Sequence, residues 1–105
     1  MKVNVLGAEY SFITDSDYLK KINADGVCKE YDKEIVIKAP TDYLEADASS
    51  DAKVLRRREV IRHEIIHAFF GESGLEEYNS DEQLVNWLAV QFPKILKAFE
   101  EVNAV

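Results

Sequence analysis

A single cysteine, Cys28, is the chain's whole stock of thiols, so no intramolecular disulfide can staple the fold and a reducing compartment suits it. Long apolar runs are also missing, and none approaches the roughly 18 residues that a membrane span requires. The stretch from Met1 to Gly7 has one basic residue but no sustained apolar segment and no small-residue cleavage site, so it does not read as a signal peptide. Positive charge is scarce: 13 Lys and Arg stand against 20 Asp and Glu, and a net charge of −7 repels nucleic acid and anionic membrane. The one basic cluster, Arg56-Arg57-Arg58 with Arg62, spreads around a helix instead of forming a phosphate-binding stripe. These absences lead to the expectation of a cytoplasmic protein with no nucleic-acid and no membrane partner. There is no internal repeat, low-complexity tract or linker to divide the chain. With 47% hydrophobic and 31% charged residues over 105 positions, it is expected to form one packed domain, residues 1–105.

The first half reads as short strands, Val3 to Leu6, Tyr10 to Thr14, Val27 to Tyr31 and Glu34 to Lys38. Only Asp32-Lys33 separates the last two, which is hairpin spacing. Asp15 to Asn23 fits a short helix capped by Thr14 or Asp15, and Thr41 to Ser50 reads as a connecting loop. From Asp51 or Ala52 to Phe70 the pattern turns helical, with Val54, Ile61, Ile65, Ala68 and Phe69 recurring at steps of three, four and seven. Gly71 is expected to end that helix. Ser80 with Gln83 forms a capping-box pattern that opens a second long helix, on which Leu84, Leu88, Ile95 and Phe99 make a buried stripe and Pro93 a kink. Trp87, Phe92 and Phe99 are read as core packing.

Chemistry concentrates in His63-Glu64-Ile65-Ile66-His67. The chain's only two histidines lie four residues apart with a glutamate directly after the first. A shuffled chain of this composition would give that arrangement roughly twice in a thousand. On a helix a four-residue step puts both imidazoles on one face, where both can bind one Zn²⁺. Zinc supplies Lewis acidity toward water and a scissile carbonyl, and Glu64, beside the same face, can take the water proton without ligating the metal.

A catalytic zinc usually has three protein ligands, and no later histidine exists to supply the third. A carboxylate from the following helix is the common solution. Glu82 is preferred, because the first turn of a helix favours an ionised carboxylate. Asp81 competes closely, and Glu76 and Glu77 are weaker candidates. Cys28 is a different kind of candidate, since the peptide deformylases pair such a helix with an upstream thiolate. Their glycine-rich and Glu-Gly-Cys-Leu-Ser segments are absent here, and a lone mid-strand cysteine is usually a small core hydrophobe.

The segments His63-Glu64-Ile65-Ile66-His67-Ala68-Phe69 and Glu82-Gln83-Leu84-Val85-Asn86-Trp87-Leu88-Ala89 resemble the ImmA/IrrE family of phage- and mobile-element-encoded metallopeptidases, gluzincin-like zincins. The second segment is similar to that family's Glu, Asn, apolar-Ala helix, which also favours Glu82. The resemblance implies an α+β zincin fold, a small antiparallel or mixed sheet packed on the active-site helix with the C-terminal helix beside it. It further implies Zn²⁺ on His63, His67 and Glu82, Glu64 as the acid-base residue, and a protein or peptide substrate such as a phage regulatory protein, bound by addition to the hairpin's edge strand. The competing expectation is a non-catalytic zinc-binding or interaction module on the same scaffold. Tyr10, Tyr43 and Tyr78 are candidate donors to an oxyanion, and nothing in the sequence selects among them. Asp15-Ser16-Asp17 and Asn23-Ala24-Asp25-Gly26 lack calcium-loop spacing and read as turns or caps.

Overall fold

The computed structural model describes Met1–Val105. It opens with a hairpin of β1 (Lys2–Val5) and β2 (Ala8–Thr14), paired antiparallel from Lys2↔Ser11 to Val5↔Ala8. Leu6 and Gly7 form its two-residue turn with φ of 51° and 93°, the doubly left-handed geometry that matches strand twist, and Asn4 Oδ1 accepts from the Gly7 N–H at 3.0 Å. Helix α1 (Ser16–Lys21) is capped by Asp15, whose side chain accepts from the Tyr18 N–H. Strands β3 (Gly26–Lys29) and β4 (Glu34–Ile37) pair antiparallel, and β4 also pairs parallel with β2. The result is a mixed four-stranded sheet in the order β1-β2-β4-β3, with β3 on an edge.

Ile35, Ile37, Val5 and Tyr10 form one face of the core together with Ala68 of α2 (Ser50–Glu72), the helix packed across that face. Strand alternation turns Val36 to the opposite face, beside α1, so the central strand is buried on both sides and reads as an unbroken apolar run. A single-turn helix, α3 (Glu76–Asn79), and the long α4 (Glu82–Glu101) follow, and α4 packs on α2. The fold is α+β, and no helix is long and apolar enough to cross a membrane.

Several local expectations are corrected. The β3–β4 connection spans Glu30 to Lys33, not Asp32-Lys33 alone; Lys33 takes a left-handed φ of 55° and Tyr31 is left outside the sheet. Where a connecting loop is expected over Thr41 to Ser50, a 3-10 turn at Pro40–Asp42 leads into the segment, buried Tyr43 anchors it, and α2 begins at Ser50 with Ser49 as cap. Gly71 does not stop α2. A Cβ there would run into the Glu30 carboxylate, so glycine permits a close approach, and the left-handed stop falls at Gly74, with the Leu75 N–H donating to Phe70 O at 3.0 Å. Asp81, not Ser80, caps α4 by accepting from the Leu84 N–H. The helix runs through Pro93, and its deepest residues are Val85 and Ala89. Trp87, Phe92 and Phe99 are exposed: Trp87 lies on the face of α4 turned away from buried Val85 and Ala89, and Phe99 lies near the far end of the helix.

Candidate metal centre

Helix α2 buries the line Val60, Glu64, Ala68 against the sheet, three residues at four-residue steps. His63 and His67 flank this line, on the side turned toward β3 and α4. Their Nε2 atoms face each other at 3.2 Å, with ring centroids 4.8 Å apart. At the first turn of α4 the Glu82 carboxylate straddles the pair, Oε2 lying 3.2 Å from His63 Nε2 and Oε1 3.0 Å from His67 Nε2. One donor atom from each of the three residues lies within 4.8 Å of the others.

The chemistry of this donor set fits a divalent cation. Asn79 Oδ1 lies 2.6 Å from His67 Nδ1, and since an amide oxygen only accepts, Nδ1 carries the proton. Nε2 of the same ring faces the Glu82 carboxylate and the His63 imidazole. Two imidazoles and a carboxylate that converge in this way form a donor set that a divalent cation can bind. Donors on one tetrahedral zinc at about 2.0–2.1 Å stand about 3.3 Å apart. The observed separations of 3.0 to 3.2 Å are of that size. Burial, followed by the charge of His67, lowers the pKa of His63 and keeps it a neutral donor.

Glu64 is the only buried charged residue, 6% exposed. Burial and the Glu82 charge push its carboxyl up, while His67 and the Cys28 backbone amide pull it down, and it settles at about 7. Its neighbour across the interface is Gly26, at the start of β3, where a Cβ would fall 2.7 Å from Val60 Cγ1 and 3.2 Å from Glu64 Cγ. Glycine thus lets the edge strand close onto the carboxylate. The strand, Glu64, Glu30, Asn79 and the three-residue cluster line an open cavity of about 260 Å³.

The structure thus brings together His63, Glu64, His67 and Glu82. Asp81 is occupied as a cap, and Glu76 and Glu77 are exposed on α3 outside the cluster. Cys28 lines the cavity but is not among the converging donors. Burial and the charges of Glu64 and Glu30 push its thiol up to about 12, and it packs against the core. None of the three tyrosines lines the cavity. The Tyr10 hydroxyl donates to Glu72 Oε1 at 2.7 Å, Tyr43 accepts from the Lys38 N–H, and Tyr78 is exposed beside Phe70. Two of the basic residues prove to be braces: Arg56 bridges Asp25 and Glu59, and Arg62 Nε donates to Ala89 O at 2.6 Å, tying α2 to α4.

Asn79 escaped the sequence reading. An asparagine twelve residues past a histidine carries no local signal, and only the short α3 turn delivers it to the ring. No protein-family model matches the chain, and no curated protein and no solved structure matches it.

Proposed function

We propose that this chain is a zinc-dependent metallopeptidase with a minimal zincin-like fold, in which His63, His67 and Glu82 hold Zn²⁺. The observation that carries the reading is the convergence of two Nε2 atoms and one carboxylate in a cavity, with a buried carboxylate beside them. When bound, the metal supplies Lewis acidity toward water and the scissile carbonyl. Glu64 accepts the proton of the attacking water and returns it to the leaving amine, and its place in the cavity beside the cluster suits both steps. Asn79 fixes the tautomer and tilt of His67. β3 pairs only with β4, so its outer edge is free along Gly26–Lys29, three of whose four residues line the cavity. An extended peptide adding there as a further strand passes the cluster, with backbone hydrogen bonds for affinity. A regulatory protein of a phage or mobile element is the substrate class this reading favours, through the resemblance of the two helical segments.

The three protein donors favour this reading over a closed structural site, since a structural zinc takes four. The test is metal content followed by turnover. Purified protein is expected to bind one zinc, and His67→Ala to lose it. Glu64→Gln is expected to keep zinc and lose cleavage of a peptide library by at least about 100-fold. Zinc retained in His67→Ala refutes the site. Cleavage unaffected in Glu64→Gln refutes the mechanism and leaves a metal-binding module.

A further inference from the structure

On the far side of α2 from the histidines, Ile65, Ile66, Phe69 and Phe70 of that helix and Leu88 and Phe92 of α4 line an apolar groove of about 550 Å³. Beyond it the same face of α4 continues through Ile95, Leu96 and Phe99 with nothing packed over it. Phe69 is 41% exposed, Phe92 46%, Leu96 37% and Phe99 45%, and exposure of this kind on one continuous face calls for a cover. Only 12 of the 105 residues are buried.

We infer that this face is a self-association surface and that its occupant is a second copy of the chain. Three observations favour a copy over another partner. The first is shape: a groove adjoins a ridge, so one surface holds both the hole and the knob that a two-fold interface requires. A two-fold axis crossing α4 between Pro93 and Lys94 sets Phe99 of each copy against Leu88 of the other, and Phe92 against Ile95. All four lie on one helical stripe.

The second is charge. Arg62 stands at the groove, and Arg58 lies one turn earlier on the same side of α2. Neither has a carboxylate partner in the chain. Glu100 and Glu101 occupy the last turn of α4, where no basic residue offsets the helix dipole that disfavours them. The same axis carries Glu100, on the flank of the stripe, to the other copy's groove and toward its exposed Arg58. The third is area. With aromatic side chains of roughly 150–250 Å² each, the face exposes about 500 Å² of apolar surface, close to the apolar share of an 800 Å² homodimer half-interface.

Sedimentation velocity and light scattering of the full chain test this. Between about 1 and 100 μM, where interfaces of this size associate, the mass should rise from 12.0 kDa to twice that value and stop there. Phe99→Glu should weaken association at least about 100-fold while leaving the far-UV circular dichroism unchanged, since the side chain is already half exposed. Arg58→Glu should weaken it several-fold, and adding Glu100→Arg should restore it. A protein that stays at 12.0 kDa throughout, or that grows past two copies, overturns the inference. So does association that survives Phe99→Glu, or a charge swap that fails to rescue.

Discussion

Replacing Asn79 with alanine removes the only acceptor of the His67 Nδ1 proton, a 2.6 Å bond in a site where the His67 side chain is 15% exposed. Two effects follow, and they can be measured apart. In metal-free protein the N–H loses a partner in a half-buried setting that water reaches in part, which costs about 1 kcal/mol. In the metal-bound protein the ring also loses its fixed tautomer and tilt, and the loss of such an outer hydrogen bond lowers metal affinity by about 10- to 100-fold. That is about 1.4 to 2.7 kcal/mol on the binding free energy. Competition for zinc against a chromophoric chelator reads the second quantity, and thermal melting in excess chelator reads the first. Asn79→Asp keeps an acceptor at the same place and should hold zinc at least as tightly as the original protein. An alanine variant whose zinc affinity stays within a factor of two would refute the orienting role. A metal-free alanine variant that melts as an unfolded chain would make the residue a brace for α3 instead.

Gly26→Ala should destabilise the protein by about 1–3 kcal/mol through overpacking against Val60 and Glu64. Adding Val60→Ala should recover part of this in a denaturant titration, and no recovery would refute the steric account. Asp25 resists ionisation through burial, yet hydrogen bonds from Lys38 and Arg56, both 2.7 Å, outweigh that and hold its pKa below the usual carboxylate value. The unfolded chain therefore binds the extra proton, so the stabilisation is complete above about pH 4 and is lost as pH falls through the folded value. Asp25→Asn should flatten this acid limb of the stability profile, and an unchanged limb would assign it elsewhere. With its thiol pushed up to about 12, Cys28 should react with iodoacetamide on the order of a thousand-fold more slowly at pH 8 than an ordinary cysteine. Cys28→Ala should leave zinc affinity unchanged, and a marked loss would place the thiol among the ligands.

The sequence by itself determined whatever depends on neighbours within about one turn of chain. It set the two histidines on one helical face, because 3.6 residues per turn leaves no other outcome once α2 forms. It marked the four strands, the capped helix at Asp15 and the acidic start of α4, where alternation and side-chain caps act locally. Boundaries drifted by a residue or two wherever two residues could do one task, as with Ser80 and Asp81. The buried line on α2 was not legible. That helix is apolar from Ile61 round to Phe69, and periodicity cannot say that the sheet meets Val60, Glu64 and Ala68 while Phe69 stays exposed.

Tertiary structure alone decided the rest. The parallel pairing of β2 with β4 leaves β3 on the edge, and the missing Cβ of Gly26 lets that edge reach Glu64. The turn from Ser73 to Asp81 selects Glu82 over Asp81 and brings Asn79 to His67. These contacts join residues 12 to 38 positions apart in the chain. Their geometry is set by how helices and sheet dock, and side-chain spacing along the chain carries no record of that.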